Sequence, residues 1–221
     1  MFSNKAVPLT SGGLLKKVGW SAMTLLALLM FFIASQYLTL NPEVYFEERR
    51  EVYISHTAGI IIHVIGAMLA IATGPFQFLP QSITRRYLKL HRWLGKTYMI
   101  GVLLGGLGGL YMSFLAYGGL PAQVGFAVLA TAWLLSGYMA YKHIRKREIQ
   151  LHRQWMIRNY ALTFSGVTLR LWLAVFDLDG AEFVQAYILV AWLSWVPNLM
   201  VAEWMISRIR AKGHRNEAFL S

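Results

Sequence analysis

The stretch Ile83-Thr-Arg-Arg-Tyr-Leu-Lys-Leu-His-Arg92, followed by Trp93 and the apolar run Leu94–Ala116, decides the fold. It is a basic, aromatic-flanked entrance to a membrane-length segment, since a bilayer core of about 30 Å takes about 20 apolar residues per helix. The entrance returns 61 residues later as Ile144-Arg-Lys-Arg-Glu-Ile-Gln-Leu-His-Arg153, with Trp155 and Tyr160 answering Trp93 and Tyr98. Such self-similarity reads as duplication of one helical hairpin; convergence of two basic helix entrances is the alternative. Working outward, six spans are expected: Val18–Leu40, Val52–Thr73, Leu94–Ala116, Gln123–Tyr141, Asn159–Phe176 and Phe183–Ile206. Gly74-Pro75, Gly118-Gly119 with Pro121, and Asp179-Gly180 punctuate them as turns. The expected fold is all-α: a six-transmembrane-helix bundle whose helices two–three and four–five are copies of one hairpin.

Composition agrees. Of 221 residues, 57% are apolar and only 14% charged, against about a quarter charged in soluble domains. The chain has no cysteine, which excludes a disulfide scaffold, a thiolate metal site, an iron–sulfur cluster and a cysteine nucleophile. The first span is long for a signal peptide and no small-x-small site follows Phe32, so it reads as retained.

Charge sets the expected orientation. Lys5, Lys16 and Lys17 precede the first span, and Arg85, Arg86, Lys89, Arg92 and Lys96 join the second to the third. Lys142, Arg145, Lys146, Arg147, Arg153 and Arg158 surround the fourth-to-fifth connection, and Arg208, Arg210, Lys212 and Arg215 end the chain. Eighteen of the 21 basic residues thus share one side, whereas Arg49 and Arg50 face it among Glu43, Glu47, Glu48, Glu51, Asp177, Asp179 and Glu182. The positive-inside rule places both termini in the cytoplasm. Residues 1–17 and 207–221 are then tails around a transmembrane domain, residues 18–206. The +11 net charge is a topology signal that meets anionic headgroups. The bilayer and other membrane proteins are the partners expected, not nucleic acid.

Two groups of residues suggest chemistry. His91 and His152 begin equivalent helices and so lie at one depth, where two imidazoles would clamp a haem b iron. Arg92 and Arg153 would meet its propionates; the alternative is that each His-Arg entrance contacts only headgroup phosphates or backbone. The glycines Gly101, Gly105, Gly106, Gly108 and Gly109 leave room for a flat ring or for a close helix contact. The second group is an outer pocket of His56, His63 and Arg170. The two histidines lie seven residues apart, two turns along one helical face. Arg170 sits about 9 Å deep by helical rise, where a cation usually faces the bundle or a wet cavity. Such a pocket would hold a quinone head, an acidic substrate or a proton path; the alternative is an Arg170 that snorkels to Asp177 or outer headgroups while the histidines bond neighbouring backbone. Elsewhere, Glu203 is expected to pair with Arg158 or Arg210, and Pro197-Asn198 to kink the last helix. Trp20, Trp93, Trp155, Trp192, Trp195 and Trp204 fit interfacial belts. No phosphate loop, dinucleotide fingerprint, zinc-protease motif or nucleophile elbow occurs.

These motifs together carry a resemblance. His56 and His63, Thr73-Gly-Pro-Phe-Gln-Phe-Leu-Pro80, Leu90-His-Arg-Trp-Leu-Gly95 and Tyr98 form its first part. The glycine-dense third span, Gly125-Phe126, His152-Arg-Gln-Trp-Met-Ile-Arg-Asn-Tyr-Ala-Leu162 and Thr168-Leu-Arg-Leu171 complete it. Over roughly residues 52–176 the chain resembles the bacterial predicted-membrane-protein family designated domain of unknown function 2306. The resemblance implies a polytopic inner-membrane protein and no particular activity. In outline the chain is also similar to the ascorbate-type cytochrome b family, but its fourth span has no histidine for a second pair. Three functions follow as expectations: a haem b electron-transfer protein with its haem near the cytoplasmic face, a small transporter or channel using the outer pocket, or a non-catalytic subunit of a membrane complex.

Overall fold

The computed structural model describes residues 11–218, and all regular structure among them is helical. The expected tails extend past these bounds, and Lys5 lies outside the described residues. The α-helices are α1 (Ser11–Ser35), α2 (Arg50–Ser55), α3 (Thr57–Thr73), α4 (Gln81–Arg86), α5 (Leu88–Ser113), α6 (Leu120–Arg145), α7 (Ile149–Thr163), α8 (Ser165–Leu178), α9 (Phe183–Leu193) and α10 (Val196–Ala218). Five stretches are long and apolar enough to cross a membrane: Lys17–Thr39, Thr57–Phe78, Leu120–Arg145, Ile149–Leu178 and Phe183–Ala211. The remaining expected span is α5, 26 residues long. Its glycines, with Lys89, Arg92 and Lys96, dilute it below the apolarity of the others.

The bundle grows from the α3–α5 pair. α6 packs against α5, α7 against α6, α1 against α3, α9 against α6 and α8, and α10 against α7. The α3–α5 contact is backbone on backbone. A methyl group on Gly66 would lie 2.0 Å from the Gly105 nitrogen, and one on Gly108 would lie 2.6 Å from the His63 nitrogen. The room that the glycine run leaves is therefore filled by α3, the helix-contact alternative rather than the flat ring.

Tight turns reverse the chain between these helices. Gly118 and Gly119 adopt φ of 87° and 71° between α5 and α6, and Gly180 adopts 73° between α8 and α9. Such left-handed backbone favours glycine. Between α6 and α7, Arg147 takes it instead, at φ 62°. Lys142 and Arg145 therefore belong to α6, and Arg153 and Arg158 to α7, with only residues 146–148 as connection. These basic residues mark one end of the bundle, here the basic end; Glu43–Glu51 and Asp177–Glu182 mark the acidic end.

Three breaks correct the simple helix reading. The second span is interrupted at His56, whose φ of −122° and ψ of 39° separate α2 from α3, so His56 and His63 do not share one helical face. The fifth is interrupted at Phe164, between α7 and α8. The last breaks at Ser194-Trp195, upstream of the expected Pro197-Asn198 kink. Pro197 instead falls in the first turn of α10, where its missing N–H leaves no helical bond unmade. The Ser194 carbonyl that the break frees accepts from the Asn198 amide at 3.0 Å and from the Thr168 hydroxyl. Trp195 is buried there and donates to Ala191 O at 2.8 Å, so it belongs to the core and not to an interfacial belt.

The acidic end is covered by residues 36–49, a run of short 3-10 turns. Its Tyr37 and Tyr45, with Tyr53 of α2, form a buried aromatic cluster whose ring centroids lie 5.3–6.2 Å apart.

Candidate functional site

Beneath this aromatic cover lies a cavity of about 220 Å³. Its polar wall comes from His63 of α3, Arg170 and Ser165 of α8, Ser113 of α5, and Arg49 of the cover. No aspartate or glutamate lines it. A second cavity of about 540 Å³ lies between the cover, α8 and α9, and includes Glu48 and Asp177. Arg170, Tyr37 and Phe46 line both, so Arg170 stands at the boundary between the two spaces.

Each cation is held by backbone rather than by a carboxylate. Arg49 is only 2% exposed. Its Nη1 donates to Leu115 O at 2.7 Å, just past the C-terminus of α5, where helix carbonyls are free and the dipole is negative. The guanidinium also lies 5.1 Å from the Tyr53 ring centroid and 5.9 Å from that of Tyr187. Its Nε is buried without any hydrogen-bond partner. Arg170 reaches Gly166 O at 3.4 Å, a long contact. Among the described residues, neither arginine forms an ion pair. His63 Nδ1 lies 2.7 Å from Gly105 O. A carbonyl only accepts, so Nδ1 carries the proton and Nε2 is the ring's remaining polar atom.

The expected outer trio is thus brought together in part. His63 and Arg170 line one cavity. His56 does not: the helix break turns it away, and its Nδ1 pairs with the Tyr111 hydroxyl at 2.7 Å. Arg49 takes the third place. In sequence it is hidden in Glu47-Glu-Arg-Arg-Glu51, indistinguishable from Arg50, which caps Pro42 O at the surface. The usable signal was aromatic, since Arg49 is one turn from Tyr53 and close to Tyr45 and Phe46.

The basic end holds the other pair. His152 Nδ1 donates to Ala140 O at 2.8 Å across the α6–α7 interface. His91 Nδ1 is buried with no partner. Arg92 and Arg153 are exposed, and neither of the two cavities is lined by His91 or His152. No group of three or more metal-ligating side chains occurs among the described residues. At this end Glu203 pairs with Arg158, with Nη2 to Oε2 at 2.8 Å, whereas Arg210 takes Gln154 at 2.6 Å.

Between the two ends runs a buried polar network. Tyr98 of α5 donates to Asn159 Oδ1 at 2.6 Å, and Asn159 Nδ2 donates to Trp133 O at 2.7 Å and Ser136 Oγ at 2.8 Å. Trp133 Nε1 donates to Thr163 Oγ1 at 2.8 Å. Asn159 is fully buried, and its two amide donors and its carbonyl oxygen are all satisfied.

A helical bundle with five membrane-length apolar stretches, an internal polar network and a cationic cavity defines an integral membrane protein. The chain belongs to the family of predicted membrane proteins designated domain of unknown function 2306, whose model matches residues 60–206. His63 and Arg170 fall within that match, and Arg49 and His56 precede it. No curated protein and no solved structure matches the chain.

Proposed function

We propose that the protein is a six-span inner-membrane transporter, with both termini cytoplasmic, that admits a small solute from outside past Arg170. One observation carries the reading: Arg170, Tyr37 and Phe46 line both cavities, so a path from the acidic end toward the bundle centre would run past them. The interruption at Phe164 supports it, because Ser165 and Gly166, the next residues, line the inner cavity, and interrupted helices recur at transporter binding sites. The sixth span is α5, which at about 39 Å is long enough and turns Ile100, Leu103 and Leu107 outward. Duplication rests on the 61-residue repeat of the two basic entrances in the sequence. The orientation rests on the lysine and arginine distribution.

The absence of native cysteine makes the test clean. A methyl group on Gly166 would meet no atom within 4 Å, so Gly166→Cys fits. Impermeant thiol reagents of either charge, added outside intact cells, are expected to modify it, while Lys146→Cys reacts only after permeabilisation. Labelling of Gly166→Cys only after permeabilisation would reverse the orientation. No labelling under either condition would remove the path.

A haem b between His91 and His152 is the competing reading. The carbonyl on His152 Nδ1 favours it, since that arrangement leaves Nε2 for a metal. The filling of the glycine run by α3 opposes it. Protein produced with haem supplementation is expected to show no Soret band. A band that sharpens on reduction and is lost in His152→Ala would install the haem.

A further inference from the structure

We infer that the inner cavity is a binding site for a small organic carboxylate, its acid group held by Arg49 and Arg170 and its apolar body by the aromatic wall. The inference rests on the outward-open path just proposed and adds the class of solute and the residue that anchors it.

Charge is the first ground. A guanidinium keeps its proton in any protein environment, so burial cannot neutralise Arg49. Only one of its donors has a hydrogen-bond partner, Leu115 O, and its Nε has none. Two guanidiniums border a space with no aspartate or glutamate on its wall. Buried cations of this kind ordinarily pair with carboxylates or with a bound anion. This chain supplies the first only in the outer space, through Glu48 and Asp177.

Shape and polarity narrow the anion. The cavity, about 220 Å³, exceeds the roughly 150 Å³ that accepts a benzene ring. Phe126, Trp133, Tyr53 and Tyr187 give it an aromatic wall. An inorganic anion would leave that wall unused, and a neutral ring would leave the guanidiniums unmatched. A monocarboxylate on a ring or branched chain matches both, because a planar fork pairs with a planar acid group. Arg49, buried on the cover side of the cavity, is the anchor. Arg170, facing both spaces and in an ion pair with neither Glu48 nor Asp177, meets the incoming acid at the boundary.

The test uses full-length Gly166→Cys protein and methanethiosulfonate reagents bearing a sulfonate or a trimethylammonium group, each rate referenced to a free small thiol. The anionic-to-cationic ratio is expected to exceed the free-thiol ratio by at least about tenfold, as a cleft of one sign of charge produces. Benzoate should slow the labelling, whereas benzyl alcohol, the same ring without the charge, should not. Arg49→Gln should lower the ratio by about tenfold and remove the benzoate protection. If that variant does not fold, the ratio and the benzoate comparison in Gly166→Cys alone decide. A free-thiol ratio, or equal protection by benzoate and benzyl alcohol, overturns the carboxylate site while leaving the path intact. Failure of both reagents to react overturns the path itself.

Discussion

Gly66→Ala is expected to be the most damaging single methyl group in the protein. Its new Cβ would fall 2.0 Å from the Gly105 nitrogen and 2.5 Å from the Gly105 Cα. Both atoms are backbone, so no side chain can swing aside, and α3 and α5 must separate along their length. The cost should reach at least about 3 kcal/mol, the upper end of ordinary overpacking, read as loss of monodisperse protein and a lowered Tm in detergent. Gly19→Ala is the matched control: a methyl group there meets nothing within 4 Å, and the helix should gain up to about 1 kcal/mol. An unchanged Tm for Gly66→Ala would mean that these helices do not meet through their glycines.

The second large effect should come from Asn159. Truncation to alanine leaves a void in the core and removes the acceptor of the Tyr98 hydroxyl, at a cost of about 3 kcal/mol. Tyr98→Phe removes two interhelical hydrogen bonds, to Asn159 and Thr163, and should cost about 1 kcal/mol, in keeping with the modest value of such bonds inside membranes. Because the two share a bond of 2.6 Å, the double variant should lose less than the two single losses together, by about 1 kcal/mol. Strict additivity in equilibrium unfolding would show that α5 and α7 do not communicate through this contact.

What the sequence made legible follows physical range. Apolar runs and lysine–arginine asymmetry are local properties, and they found five of the spans and the two ends of the bundle. Arg170 and His63 were legible because a polar residue deep in an apolar run is costly wherever the run packs. Arg49 was not, since its burial depends on residues 36–49 folding back over the bundle, a tertiary event with no local signature. His56 was misplaced for a related reason. Periodicity predicts one helical face through residues 52–73, but it does not register a one-residue break. The glycine run was legible as two alternatives, and only the position of α3 chose between them.

The dilution of α5 by glycine also bears on how the chain enters a membrane during synthesis. A segment is released into lipid according to its own apolarity, and α5 surrenders much of its own so that its backbone can touch α3. Its exposed side retains Ile100, Leu103 and Leu107, but the glycine side offers lipid little except peptide groups. Alone, such a helix would partition reluctantly. Paired with α3, it presents only its leucine side. With α5 as the proposed sixth span, the unit that leaves the translocation channel would be the α3–α5 hairpin rather than either helix by itself.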